Sequence, residues 1–196
     1  TLATIEAWAG EPATWDALKA CDVIFCCTDD HAGRMFLNRF ARFYGIPVID
    51  VGLAMQRRSE TQCDIFARIS TLVPGHPCLL CGGYIDPRRA REKALRRDDP
   101  DAYERLKAEA YVLGEGDPSP AVVTFTTEAS AMAVNEWLAG ITGFAGQAGM
   151  LPTRMRRFHA RDERRLLVEP RTDCPCCALP ETLGRADMQP FLDMVT

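Results

Sequence analysis

The stretch that decides the fold runs from Cys21 to Gly52 and reads CDVIFCCTDDHAGRMFLNRFARFYGIPVIDVG. Residues 23–27 form an apolar run that is too short for a helix and typical of a strand buried on both faces. Aromatic residues then recur at helical spacing over 36–44, and Gly45 predicts the end of that helix. Residues 46–51 predict a second buried strand that Gly52 closes. This order predicts a βαβ unit with a right-handed crossover.

Polar residues follow the first predicted strand directly, and they are the first candidates for chemistry. Ligands of open parallel sheets bind beyond the carboxyl ends of the strands, where Asp29 and Asp30 fall. An aspartate in this position can hold Mg²⁺ beside substrate phosphates. The alternative is that Thr28, Asp29 or Asp30 only caps the helix that follows. The sequence leaves both interpretations open.

Two matched cysteine pairs are the most specific motif of the chain. Cys78-x-x-Cys81 and Cys174-x-x-Cys177 each present two thiols from a tight turn. Four such sulfurs form the closed tetrahedral site of structural zinc. The long separation between the pairs predicts a metal that staples two distant parts of the chain. The alternatives are buried free thiols, or a redox pair at one motif.

Five further cysteines complete the total of nine. Cys176 is a spare thiol inside the second pair. The other four lie in apolar patterns and are interpreted as small core residues: Cys21, Cys26, Cys27 and Cys63.

Composition bounds the class of protein. The 196 residues are 47% hydrophobic and 26% charged, which is ordinary for a soluble globular chain. A net charge of −4 argues against a nucleic-acid partner. No membrane-spanning run or secretory signal is visible, so we expect a cytoplasmic protein without a membrane partner. Because the chain begins with Thr1, we expect it to be a piece of a longer protein.

Three regions are expected along the chain. Residues 1–73 are the C-terminal part of a nucleotide-binding sheet, in which 62–72 predict an antiparallel strand with one solvated face. Residues 74–120 carry the first cysteine pair, a charged helical insert over 86–111 and a crossover loop over 112–120. Residues 121–196 hold a return helix over 121–138, a hairpin over 154–169, the second cysteine pair and a short last helix near 191–195.

These motifs together resemble a known family, the ThiF/MoeB/HesA-type enzymes, which are bacterial relatives of ubiquitin-activating enzymes. The resemblance rests on the C-T-D-D of 27–30, where the family typically has C-T-D-N, and on Arg34 and Asn38 after it. The order of the two cysteine pairs around a long helix also matches the family's zinc ligands. The resemblance covers about Asp22 to Cys177.

The resemblance implies a partial doubly wound, Rossmann-like α/β sheet with a zinc-stapled C-terminal extension and a helical insert. It implies an enzyme that uses ATP and Mg²⁺ to adenylate the C-terminal carboxylate of a ubiquitin-like or sulfur-carrier protein, usually as a homodimer. Asp29 matches the family's acidic residue at the Mg-ATP site and is the expected catalytic residue. Thr28, Arg34 and Asn38 are expected to bind the nucleotide with it, and Cys78, Cys81, Cys174 and Cys177 to bind the zinc.

The chain also departs from the family. Asp30 stands where the family has Asn, and the family's glycine-rich phosphate loop is missing and would precede Thr1. We therefore expect the C-terminal portion of an activating enzyme, which alone should bind ATP weakly or not at all and should be inactive. Residues 82–127 contain no cysteine, so no thioester is expected there. The competing interpretations are a non-catalytic zinc-stapled interaction module and a dinucleotide-binding dehydrogenase; the latter lacks its glycine-rich fingerprint.

Overall fold

The computed structural model describes residues 1–108, 122–178 and 182–186. Its elements in chain order are α1 (Pro12–Lys19), β1 (Ile24–Cys26), α2 (His31–Tyr44), β2 (Val48–Arg57), β3 (Cys63–Leu72), α3 (Pro87–Asp98), α4 (Pro100–Ala108), α5 (Val123–Thr142), a 3₁₀ turn (Gly146–Ala148), β4 (Thr153–Arg157) and β5 (Asp162–Arg165).

The five strands form one sheet in the order β1-β2-β3-β4-β5. β1 and β2 are parallel and joined through α2, with Cys26 opposite Asp50, which confirms the predicted βαβ unit. The remaining neighbours are antiparallel. The sheet therefore combines a parallel crossover unit with an antiparallel extension.

Asp30, one of the three candidate caps, begins helix α2, and the helix ends at the predicted Gly45. The Asp30 carboxylate accepts hydrogen bonds from the backbone N–H groups of Ala32 and Gly33, which satisfies two of the unpaired donors of the first turn. Gly45 ends the helix with φ of 70°, a left-handed conformation that glycine adopts without steric cost. The position of this helix start fixes the loop between β1 and α2.

Helices cover both faces of the sheet, which confirms the predicted doubly wound α/β class. On one face, Phe36 and Phe40 of α2 pack into a core with Val48 and Leu72 of the sheet. On the other face lie the small side chains of α5 and the apolar residues of β2 and β3, namely Ala129, Met132, Ala133, Ile49, Ala67 and Ile69. Because side chains alternate along β2 and β3, consecutive residues of each strand point to opposite faces of the sheet.

Gly52 does not close the second strand as the sequence suggested. β2 continues to Arg57 and forms a long hairpin with β3, in which Gly52 lies opposite Arg68. A Cβ atom on Gly52 would come within 2.9 Å of the Arg68 guanidinium. The glycine therefore makes room for a buried arginine rather than ending a strand.

The predicted solvated face of β3 is also wrong. Asp64, Arg68 and Ser70, which belong to that face, are all buried. Arg68 donates to the Ser70 hydroxyl and stacks 4.1 Å from the ring centroid of Tyr84. Polar residues can occupy this covered face because they satisfy one another.

The charged helical insert consists of two helices, α3 and α4. Asp86 caps α3, and Asp99 caps α4 by accepting from the backbone N–H of Ala102 at 2.9 Å. The predicted hairpin is confirmed as β4 and β5, and the return helix extends to Thr142. The expected loop over 112–120 and last helix near 191–195 lie outside the described residues. Among the described helices, none is both long and apolar enough to cross a membrane.

Candidate nucleotide site and metal centre

The loop after β1 separates the roles of its two aspartates. Asp30 is used by the helix cap, and its backbone N–H is bonded to the Thr28 hydroxyl at 3.0 Å. The Asp29 side chain is exposed at the carboxyl end of β1. The capping explanation therefore applies to Asp30 and leaves the Asp29 carboxylate available to a ligand.

A buried charged group lies beside the end of β1. Asp50, which is 0% exposed, accepts a hydrogen bond from the Arg68 guanidinium at 2.5 Å. Its other carboxylate oxygen lies 3.2 Å from Nε of Arg34, which in turn donates from its terminal nitrogen to the backbone carbonyl of Val51. Two guanidinium groups share one carboxylate, so this group carries one net positive charge close to the Asp29 loop.

The Arg34–Asp50 contact is an ion pair without hydrogen-bond geometry. Within the described part of the chain, neither Nε of Arg34 nor Oδ1 of Asp50 has a hydrogen-bond partner. Buried polar atoms of folded proteins are nearly always hydrogen-bonded. Within this site, Nε of Arg34 and Oδ1 of Asp50 are therefore the buried atoms that can still form a hydrogen bond.

Cys26, the last residue of β1, and Cys27, which follows it, both lie near the Asp50 carboxylate. Cys26 is buried, and burial, followed by its contacts with Asp50, raises the pKa of its thiol. Cys27 is exposed, yet partial desolvation and then the Asp50 charge raise its pKa as well. Neither thiol is activated as a nucleophile at neutral pH, because the thiolate is the reactive form.

Asn38 does not belong to this group. It is 1% exposed on α2, and its side-chain carbonyl accepts the backbone N–H of Leu79 at 2.8 Å. Its amide nitrogen donates to Sγ of Cys176 at 3.2 Å. The structure thus brings Thr28, Asp29 and Arg34 to one end of α2 and directs Asn38 to the cysteine cluster.

The four cysteines of the two pairs converge. All four sulfurs lie within 4.8 Å of one another, with Cys78 3.5 Å from Cys174 and Cys81 3.2 Å from Cys177. A tetrahedral zinc with bonds of about 2.3 Å separates its sulfurs by about 3.8 Å. The arrangement is that of a four-sulfur metal site, assembled from turns 96 residues apart.

The donor chemistry of this cluster fits zinc. The contact with the Cys176 side chain is the largest of the effects that lower the pKa of Cys78 to about 4, against the opposing effect of burial. Burial raises the pKa of Cys81, and the backbone N–H of Arg171, which donates to Sγ of Cys81 at 3.3 Å, opposes that effect. Bonds of this kind favour the thiolate form that metal binding requires. Cys78, Cys81, Cys174 and Cys177 can therefore hold one zinc ion with no open position.

The remaining cysteines differ from their predicted placement. Of the four that the sequence predicted as core residues, Cys26 is buried, whereas Cys21, Cys27 and Cys63 are exposed. Each of the three lies near a strand or helix end, where an apolar sequence pattern no longer implies burial. Cys176, the spare thiol, is buried beside the cluster.

Sequence reasoning did not find Asp50 and Arg68. One signal for Asp50 was available, because a carboxylate inside the buried run 46–51 must have a partner. The identity of that partner depends on the register of β2 against β3, which no local pattern encodes.

The comparison with known proteins agrees with the geometry. No curated protein matches the sequence significantly. A model of the ThiF family, whose members are generally adenylyltransferase-like, matches residues 1–176, which include the Asp29 loop, the charged group and three of the four clustered cysteines. The chain belongs to the ThiF family.

Proposed function

We propose that this chain takes part in the ATP-dependent adenylation of the C-terminal carboxylate of a ubiquitin-like or sulfur-carrier protein. The observation that carries the proposal is the exposed Asp29 carboxylate at the carboxyl end of β1, beside a helix that Asp30 already caps. Family membership supports the reaction class. A parallel strand end next to a crossover helix is where sheets of this class bind their ligands.

In this reaction a carboxylate oxygen of the carrier forms a bond to the α-phosphorus of ATP. The bond from that phosphorus to the bridging oxygen breaks, and pyrophosphate leaves with the electron pair. Mg²⁺ supplies neutralisation of the phosphate charge when it is bound. Such catalysis consists mostly of positioning and charge stabilisation.

The residues of the chain have distinct parts in this proposal. Asp29 would hold Mg²⁺ through a carboxylate oxygen, which suits a cation that takes few protein ligands and retains several waters. Arg34, held by Asp50, would provide positive charge beneath the loop, since Arg34 and Arg68 together exceed the Asp50 charge. Thr28 would fix the loop backbone through its bond to Asp30.

The test is carrier-dependent exchange of pyrophosphate into ATP by the full-length protein. Asp29→Asn should lower exchange by at least a hundredfold while zinc content and folding stay unchanged. Asp22→Asn, an exposed aspartate at the opposite end of β1, is the matched control and should retain exchange. A carrier with an amidated C-terminus should support none.

Full exchange by Asp29→Asn would overturn the assignment of this residue. If the wild-type protein held zinc and bound a carrier but catalysed no exchange, it would be a zinc-stapled interaction module instead. We further propose that the working form is a cytoplasmic homodimer without a nucleic-acid partner, and sedimentation of the purified protein tests the dimer.

A further inference from the structure

The two cysteine turns are connected by a side chain that is not a metal ligand. Asn38 reaches the turn of the first pair through Leu79, which lies between Cys78 and Cys81, and the turn of the second pair through Cys176. Both contacts are buried. One amide on α2 thus contacts the inner residue of each turn.

The orientation of this amide is fixed by its partners. The backbone N–H of Leu79 can only donate, so it must face the carbonyl oxygen of the Asn38 side chain. The amide nitrogen then points at Cys176, whose sulfur accepts. The Cys176 thiol itself donates to the backbone carbonyl of Asn38 at 3.6 Å. Asn38 and Cys176 are therefore joined by two contacts, one through the side-chain amide of Asn38 and one through its backbone carbonyl.

We propose that Asn38 and Cys176 form a positioning unit of the metal centre, which sets the spacing of the two cysteine turns and attaches both to α2. The inference goes beyond the proposed adenylation and rests on the four-sulfur site. Outer partners of metal ligands orient those ligands, and their loss typically costs 10–100-fold in metal affinity. Asn38 provides this orientation through the backbone N–H of Leu79 and the side chain of Cys176, neither of which belongs to the four clustered sulfurs.

The experiment measures zinc affinity and the rate of zinc release to a chromogenic chelator in the full-length protein. Asn38→Ala should weaken zinc binding by about 10–100-fold. The matched control, Asn135→Ala, alters the same residue type on the exposed side of α5 and should leave zinc binding unchanged. Cys78→Ser reports the loss of a true ligand and should release zinc far more completely.

A second pair of variants tests the thiol without touching the amide. Cys176→Ser keeps a donor and an acceptor, so it should retain zinc nearly as well as the wild type. Cys176→Ala removes both and should approach Asn38→Ala. Combining Asn38→Ala with Cys176→Ala should then weaken zinc binding by less than the product of the two single effects, because both changes break the same connection.

The alternative is that Asn38 only stabilises the core. In that case Asn38→Ala would destabilise the zinc-bound and zinc-free proteins equally, and zinc affinity would not change; this result would overturn the proposal. Retention of zinc by Cys176→Ala at the wild-type level would overturn it too, and this variant remains informative if Asn38→Ala does not fold. These outcomes are independent of pyrophosphate exchange, so they separate the proposal from the proposed function.

Discussion

Asp50 is the residue on which the charged group depends. It is fully buried and is paired with two arginines, Arg34 and Arg68, from α2 and β3. Buried ion pairs contribute little net stability compared with apolar residues, but the removal of one partner leaves a charge uncompensated. Removal of the Asp50 carboxylate should therefore cost far more stability than removal of a carboxylate from an ion pair that is open to solvent.

We expect Asp50→Asn to lower the free energy of unfolding by about 3–5 kcal/mol, because it leaves two buried guanidinium groups without an anion. Urea unfolding of the purified protein measures this change. Asp162→Asn breaks its ion pair with Arg157, which is partly open to solvent on the β4–β5 hairpin, and should have a much smaller effect. Equal stability losses in the two variants would contradict the buried role of Asp50.

Cysteine placement leads to an expectation about covalent chemistry. Many activating enzymes of the resembling family transfer the adenylated carboxylate to a cysteine of their own crossover loop, but residues 82–127 contain none. Cys176 is buried beside the cluster, and burial with the Asp50 charge disfavours the thiolate of Cys27. We therefore expect no thioester on this chain.

The measurement is a gel without reductant after incubation with ATP and a carrier protein. No thiol-sensitive adduct should map to any of the nine cysteines by mass spectrometry. Cys27 is the position to inspect first, because it is exposed directly before the Asp29 loop. An adduct at Cys27 would contradict the expectation that this chain forms no thioester.

At the scale of elements, local signals predicted most of what is observed. The βαβ unit follows from the length of its apolar runs, and both ends of α2 follow from Asp30 and Gly45. The four cysteines were recognisable because metal-ligand spacing is itself a local pattern. The sequence therefore predicts those elements whose ends are determined by residues within or next to them.

The features that sequence reasoning missed depend on contacts between elements. β2 continues through Gly52 because Arg68 of the next strand occupies the space beside it. Asn38 was expected at the nucleotide because it lies in the motif of α2, yet its side chain is two turns from the helix start and faces the cysteine turns. A strand register or a helix rotation decides such cases, and neither is specified by neighbours in the chain.

At the scale of the whole molecule, the four-sulfur site connects the two ends of a long segment. The sulfurs of Cys81 and Cys177 meet across 96 residues that contain α3, α4, α5 and the β4–β5 hairpin. Cross-linking a loop of about 100 residues contributes about 4.7 kcal/mol in the chain-entropy model for disulfides. The metal should therefore stabilise the whole fold and not only the turns that bind it.

We expect the purified protein to carry one equivalent of zinc, and Cys78→Ser to lose it with a destabilisation on the order of 4 kcal/mol. Metal analysis of reduced protein and urea unfolding measure the two effects. Cys63→Ser, which alters an exposed cysteine on β3, should change neither. Fresh, reduced wild-type protein without zinc would contradict the structural role of the cluster.

The closed segment also determines where this protein can change length during evolution. Both of its ends are held at one point by the cysteine turns, and α2 lies outside it. Once a loop is closed, doubling its length costs only about 0.6 kcal/mol. Insertions between Cys81 and Cys174 are therefore inexpensive for the fold, and relatives could acquire new partner-binding segments there while the loop after β1 stays in place.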